Sequence, residues 1–365
     1  MASHWLKALL VAMTATSLAG APASAQQPLP LKTGKAWKHK HSGIAVPATL
    51  GGAPRERGMA YAADDLDVGL SYTVGNAAES LTFYIFRNTN GAVPVWFAQA
   101  QWGIENRNTF GRPAVVVGPQ AFVPPEQSSA SGLKAVYEPM SGPYRSSGVM
   151  MLPVGGWYVK LRASSQTRSP AELAQWMDAA LAEVQWPRKI PASPDAAPVT
   201  DCPAPLIFPV AAQDAAKNGG ADLMSGLLGM ATAQSRAKAK PTPESAKALA
   251  AVRWCRDPDI GGNAGLYRQN SDTENYLLAM GDNGNGIWVG PDPGAKLIAM
   301  TEKDTPAAPR YSITLMTAAQ NIGFVTQDRL PSPQRVIEIV KANRRVTTVP
   351  TWGKSKSIGV NSDAL

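Results

Sequence analysis

The chain has 365 residues, 44% apolar and 17% charged, which is enough hydrophobic material for proper cores and excludes a disordered chain. Its net charge of +8 arises from 35 basic and 27 acidic residues, dispersed apart from small clusters at 32–40, 236–240 and 344–345. Spread that thinly, the excess reads as a solvated surface and leaves no nucleic-acid footprint.

Residues 1–25 read as a secretory signal peptide. Lys7 supplies the positive start, Leu9 through Leu18 a short apolar stretch, and Ala23, Ser24 and Ala25 a small-residue cleavage site before Gln26. That stretch is too short, and too rich in Ala and Thr, to span a bilayer comfortably. Ala21 stands where a lipoprotein signal would need cysteine, and every later apolar run is broken within a few residues. The expectation is a periplasmic or secreted protein, cleaved near Ala25, with no transmembrane segment. The remaining length predicts two domains, at roughly 100–200 residues each.

Residues 26–40 are polar, basic and without periodicity, so a flexible leader is expected. His39 within it and His41 just after it are the only histidines beyond the signal. A His-x-His pair would need further ligands, and no cysteine or carboxylate lies close by in sequence, so both are read as part of a solvated segment. Residues 42–47 form a short edge strand ended by Pro47. Across a loop containing Gly and Arg comes the clearest pattern in the chain. Leu66, Val68, Leu70, Tyr72 and Val74 alternate with Asp67, Gly69, Ser71 and Thr73, one face of a strand. After a turn at Gly75 and Asn76, residues 81–86 are apolar or aromatic at nearly every position, which belongs at the centre of a sheet.

A helix is predicted over 93–107, with Pro94 tolerated in its first turn. Strands follow at 115–117, 133–137, 149–152 and 157–161; in the last, Trp157, Val159 and Leu161 face away from Tyr158, Lys160 and Arg162. A helix over 170–184 has Ser169 as N-cap, Glu172 completing a capping box, and Leu173, Trp176, Met177, Ala180, Leu181 and Val184 as one stripe. It should lie across the sheet. Six prolines between Pro187 and Pro205 make 188–205 a stiff linker between a domain over 41–187 and a second over 206–365. Cys202 and Cys255, a lone pair without Cys-x-x-Cys spacing, are most simply a disulfide worth roughly 3–4 kcal/mol. In the second half, helices are expected at 223–237, with Leu223, Leu227 and Met230 on one face, and at 243–252. Strands are expected at 276–280, 287–289, 296–300 and 311–316, and a closing helix at 333–343 capped by Ser332. The fold class is therefore α+β: two domains, each a mainly antiparallel sheet with packed helices.

Over 37–186 the order resembles the PsbP-like α/β/α sandwich. A Ser42-Gly43-Ile44-x-Val46-Pro47 strand leads to a strand pair and a helix, then a hydrophobic strand, a capped amphipathic helix and Trp186-Pro187. The resemblance implies an antiparallel sheet with helices on its faces and a binding or assembly role, and it brings no catalytic residue.

Gly-x-Ser-x-Gly, Walker A, Gly-x-Gly-x-x-Gly and His-Glu-x-x-His patterns are all absent from the sequence, so no catalytic residue, metal or cofactor is assigned. Three acidic stretches could supply paired carboxylates. Asp64, Asp65 and Asp67 are expected at the surface; Asp257 and Asp259, and the stretch 282–286 with Asp282, are expected in turns. Trp37, Trp102, Trp288 and Trp352 lack a clear core position and form a possible ligand surface. The expected function is an exported envelope protein of non-catalytic binding or scaffolding type, its partner an envelope protein or polymer. The alternative is a carboxylate-dependent, glycan-active hydrolase.

Overall fold

The computed structural model describes residues 26–238, 244, 248–249, 251–258, 264–300, 308–354 and 357–361. The expected signal peptide, half of the helix expected at 243–252, and Asp259 lie outside the described residues. Within them the fold is α+β, built on two large, mainly antiparallel sheets. No described helix is long and apolar enough to cross a membrane.

The first half contains β1 (Gln27–Pro28), β2 (Trp37–Lys38), β3 (Ala45–Val46), β4 (Thr49–Leu50), β5 (Ala53–Ala60), β6 (Asp67–Val74) and β7 (Glu79–Arg87). Helix α1 (Val93–Glu105) follows, then β8 (Ala114–Phe122), β9 (Gly132–Glu138), β10 (Ser146–Val154), β11 (Trp157–Ser165) and α2 (Pro170–Glu183). Apart from the β2–β3 hairpin, these strands form one sheet in the order β1-β5-β6-β7-β11-β10-β9-β8, with β4 beside β5. The apolar run of β7 sits between β6 and β11, where two covered faces require it. Ser169 caps α2 through the expected capping box with Glu172.

Two expectations fail here. β5 was expected as loop, because Arg55, Glu56 and Arg57 hide its pattern; it is an outer strand whose neighbours β1 and β4 are two residues long, so polar side chains cost it nothing. The stretch expected to be a flexible leader is tied down: β1 pairs with β5, the Leu29 N–H donates to the Gly58 carbonyl, and Leu29 and His39 are buried.

After an extended stretch over 188–199 come β12 (Thr200–Asp201), α3 (Gly219–Lys238), β13 (Trp254–Arg256), β14 (Ala264–Gln269), β15 (Tyr276–Met280) and β16 (Gly286–Pro291). Then follow α4 (Pro293–Ala299), β17 (Tyr311–Met316), β18 (Gln320–Phe324), α5 (Pro333–Lys341), β19 (Arg345–Pro350) and β20 (Gly359–Val360). All nine strands pair in chain order, antiparallel except β12 with β13. The Cys202–Cys255 disulfide joins the end of the extended stretch to β13, as expected. The segment expected as a strand at 296–300 belongs instead to α4, which Asp292 caps by accepting from the Gly294 and Ala295 N–H groups ahead of a first-turn proline. In α3, Leu223 and Leu227 face solvent. Small residues face inward because α4 comes so close that a Cβ on Gly294 would meet the Ala221 carbonyl at 2.2 Å.

Helix α1 is covered on both sides. Phe86, Tyr137, Val149, Met151 and Tyr158 of the first sheet pack with it, and so do Tyr267, Leu277 and Ala279 of the second. Buried Gln99 links the two: the Tyr267 hydroxyl donates to its Oε1 at 2.9 Å and its Nε2 donates to the Ala279 carbonyl at 3.4 Å. Helix α2 covers the far face of the first sheet, and α5 the far face of the second. The layers thus run α2, sheet, α1, sheet, α5. A 13-residue helix is about 20 Å long, whereas nine strands span roughly 40 Å, so α1 cannot fill the gap between the sheets.

Candidate functional site: the space between the sheets

The larger unfilled space is a cavity of about 790 Å³. Its floor is the second sheet, with Trp288, Ser312, Thr314, Asn321 and Thr347; α3 contributes Ser225, Gly226 and Gly229; and 87–91 with Trp157 close it from the first half. The charged groups on this wall are already engaged. Arg87 donates to the Ala318 carbonyl at 2.8 Å and to the hydroxyl and carbonyl of Thr351 at 3.0 and 2.8 Å. Asp222 pairs with Arg310 at 2.9 Å, and Asp292, the α4 cap, accepts from the Ser225 hydroxyl. What remains for a ligand is indole faces, hydroxyls and amides, set among apolar side chains such as Leu228, Ile313, Met316 and Val349.

At one end the two halves are joined by an aromatic knot. Trp352 lies edge-on to Trp157 and to His41, the Arg87 guanidinium sits 5.0 Å above its ring, and its Nε1 donates to Asp64 at 2.6 Å. Lys40 pairs with the same Asp64 carboxylate at 2.7 Å; these two donors hold that carboxyl down at about 2. His41 stacks on Trp157 and contacts Asp64. His39, expected in a solvated segment, is fully buried against Trp157 at 4.6 Å. Its Nε2 faces the Asp65 carbonyl at 2.9 Å and must donate to it, which leaves Nδ1 to accept from the Ser42 hydroxyl and N–H. Burial lowers the His39 pKa. No carboxylate bonds the ring, and neither His39 nor Ser42 lines either cavity, so the pair organises a turn.

The second cavity, about 720 Å³, lies where the 281–285 hairpin of the second half docks on β6 and β11. Lys160, on the inward side of central strand β11, pairs with the Asp282 carboxylate at 2.7 Å and lies 4.5 Å from the Tyr84 ring. The Asn283 amide donates to Asp67 at 3.0 Å, and Gly284 accepts from Thr89 and Asn90. Asp67, expected at the surface, is buried here, and burial pushes its carboxyl up to about 6 against the pull of Lys160 and Asn283. Burial works the same way on Asp282, but Lys160 and then Arg162 outweigh it and hold that carboxyl below its ordinary value. The turn expected at 282–286 is thus a hairpin loop that also fastens the halves together.

Of the four tryptophans expected on a ligand surface, the fold brings Trp288 and Trp352 to the first cavity. Trp37 packs on the first core and Trp102 sits half-buried on α1, away from both cavities. Asp257, expected in a turn, is buried in an ion pair with Arg268 at 2.7 Å, where it also accepts from the Leu206 N–H. Sequence reading assigned no role to Arg87, Lys160 or Arg162. The available signal was charge on the inward face of central strands, since β11 buries Trp157, Val159 and Leu161 on its other face. No family model, curated protein or solved structure matches this chain.

Proposed function

We propose that the protein is a non-catalytic binding protein of an extracytoplasmic compartment, with a strand of uncharged polymer, a glycan, held in the cavity against Trp288 and Trp352. One observation carries this reading: a roughly 790 Å³ space between the sheets offers indole faces, hydroxyls and amides among apolar side chains, while its charged groups are paired within the protein. Such walls suit a ligand that is itself uncharged, flat-faced and rich in hydroxyls. The disulfide fits an oxidising compartment. The resemblance of the first half to the PsbP-like sandwich also favours a binding or assembly role, with each sheet and its outer helix forming one of two domains joined through α1. Titration with neutral oligosaccharides should give saturable changes in tryptophan fluorescence, weakened at least about tenfold (about 1.4 kcal/mol) in Trp288→Ala and Trp352→Ala. Equal affinity in both variants, or no response to any neutral glycan, would refute it.

A second reading, a carboxylate-dependent glycan hydrolase, draws support from Asp67 and Asp282, whose carboxyls share the other cavity and are pushed in opposite directions. Their existing partners, Asn283 and Lys160, make this the weaker reading. Release of reducing ends by the native protein, abolished in Asp67→Asn, would reverse the order.

A further inference from the structure

Arg162 stands two residues beyond Lys160 on β11 and lines the second cavity. A guanidinium carries five N–H donors, and none of these meets an acceptor among the described residues. Other inward-turned arginines behave differently. Arg87 closes on Thr351 and Ala318, Arg268 on Asp257, and Arg310 on Asp222. Arg162 has charges of both signs around it, with Asp282 attracting and Arg107 repelling it. The Asp282 carboxylate, however, is already bonded to Lys160. Arg107 rests over the Phe110 ring at 5.0 Å and adds a second positive charge nearby. The remaining wall is largely apolar, from Tyr61, Tyr84, Phe86, Met280 and Leu315. A planar cationic fork at the edge of an aromatic-walled space is the complement of an oxyanion attached to an apolar body.

We propose that this cavity binds a small carboxylate with an apolar body, the carboxylate taken by the Arg162 guanidinium and the body by the side chains of Tyr61, Tyr84, Met280 and Leu315. Asp67 and Asp282 in the same space disfavour a doubly charged anion, so one planar charge fits better than a phosphate. This site is separate from the glycan cavity and does not depend on it.

Benzoate is a suitable probe, followed by titration calorimetry near neutral pH and low salt, with benzyl alcohol and inorganic phosphate as comparators. Saturable benzoate binding is expected, at least about tenfold tighter than either comparator. Arg162→Gln should weaken it by about tenfold or more, and Arg162→Lys should restore little, since an ammonium lacks the fork. Met280→Trp, at a half-exposed position on the cavity wall, should block binding without touching Arg162 and decides the matter if Arg162→Gln does not fold. Absence of saturable benzoate binding to the native chain, affinity unchanged in the variants that fold, or tighter binding of phosphate would overturn the proposal.

Discussion

The two cavities are close in size, about 790 and 720 Å³, and differ in chemistry. Both exist because one short helix cannot fill the gap between two broad sheets. In the larger, Arg87 bonds to carbonyls and a hydroxyl, Asp222 pairs with Arg310 and Asp292 caps α4, so the wall is electrically quiet. In the smaller, Lys160, Asp282, Asp67 and Arg162 meet across the seam, where the Asp67 carboxyl is pushed up and the Asp282 carboxyl held down. A layered fold sets where empty space falls, and the inward alternation of central strands sets what that space can hold.

The strongest test of the comparison goes through the helix between the sheets. Trp96 is fully buried, and its Nε1 donates to the Asn90 carbonyl at 3.0 Å. Trp96→Ala should cost about 3–5 kcal/mol in urea denaturation, with fluorescence and circular dichroism following one coincident transition. Two separated transitions would show that the sheets fold independently. Lys160→Met comes next, at about 3 kcal/mol, because it strands the Asp282 charge in the seam. Arg87→Met, which breaks bonds to neutral groups, should cost only about 1–2 kcal/mol, and equal costs would erase the contrast between the walls. Asp67 gives a pH signature. With its carboxyl raised to about 6, its stabilising share is complete below the ordinary carboxylate value and is lost as pH rises through about 6. The loss approaches roughly 2–3 kcal/mol by about pH 8, and a melting-temperature profile of Asp67→Asn should lack that slope. The smallest effect is that of salt. Raising ionic strength from about 0.05 to 0.5 M should weaken benzoate binding about two- to threefold and leave oligosaccharide binding unchanged.

Elements buried on one or both faces were legible in the sequence, because burial writes a period. The alternation of β6, the apolar run of β7, the stripe of α2 and the 2-residue period of β11 all survive in the fold. Segments whose environment comes from distant chain were not. β5 carries charges because it lies near an edge, and α4 was hidden in an apolar stretch whose signal was the cap and proline before it, Asp292 and Pro293. His39 reads as polar leader until Trp157, more than a hundred positions away, covers it. Asp67 sits in an alternating strand at a position expected to be wet, and the hairpin carrying Asn283 docks on it from the second half. Of the candidate ligand surface, Trp288 and Trp352 were identified from their lack of a core position, whereas the cavity around them needs walls from both halves.

The double covering of α1 bears on how the protein is made. The Gln99–Ala279 bond spans 180 residues, so the second lid of the helix is synthesised long after the first. At roughly 5–20 residues per second, the ribosome needs roughly ten to forty seconds to deliver it. Throughout that interval the indole of Trp96 lacks the cover that Leu277 and Ala279 of the second sheet give it in the folded chain.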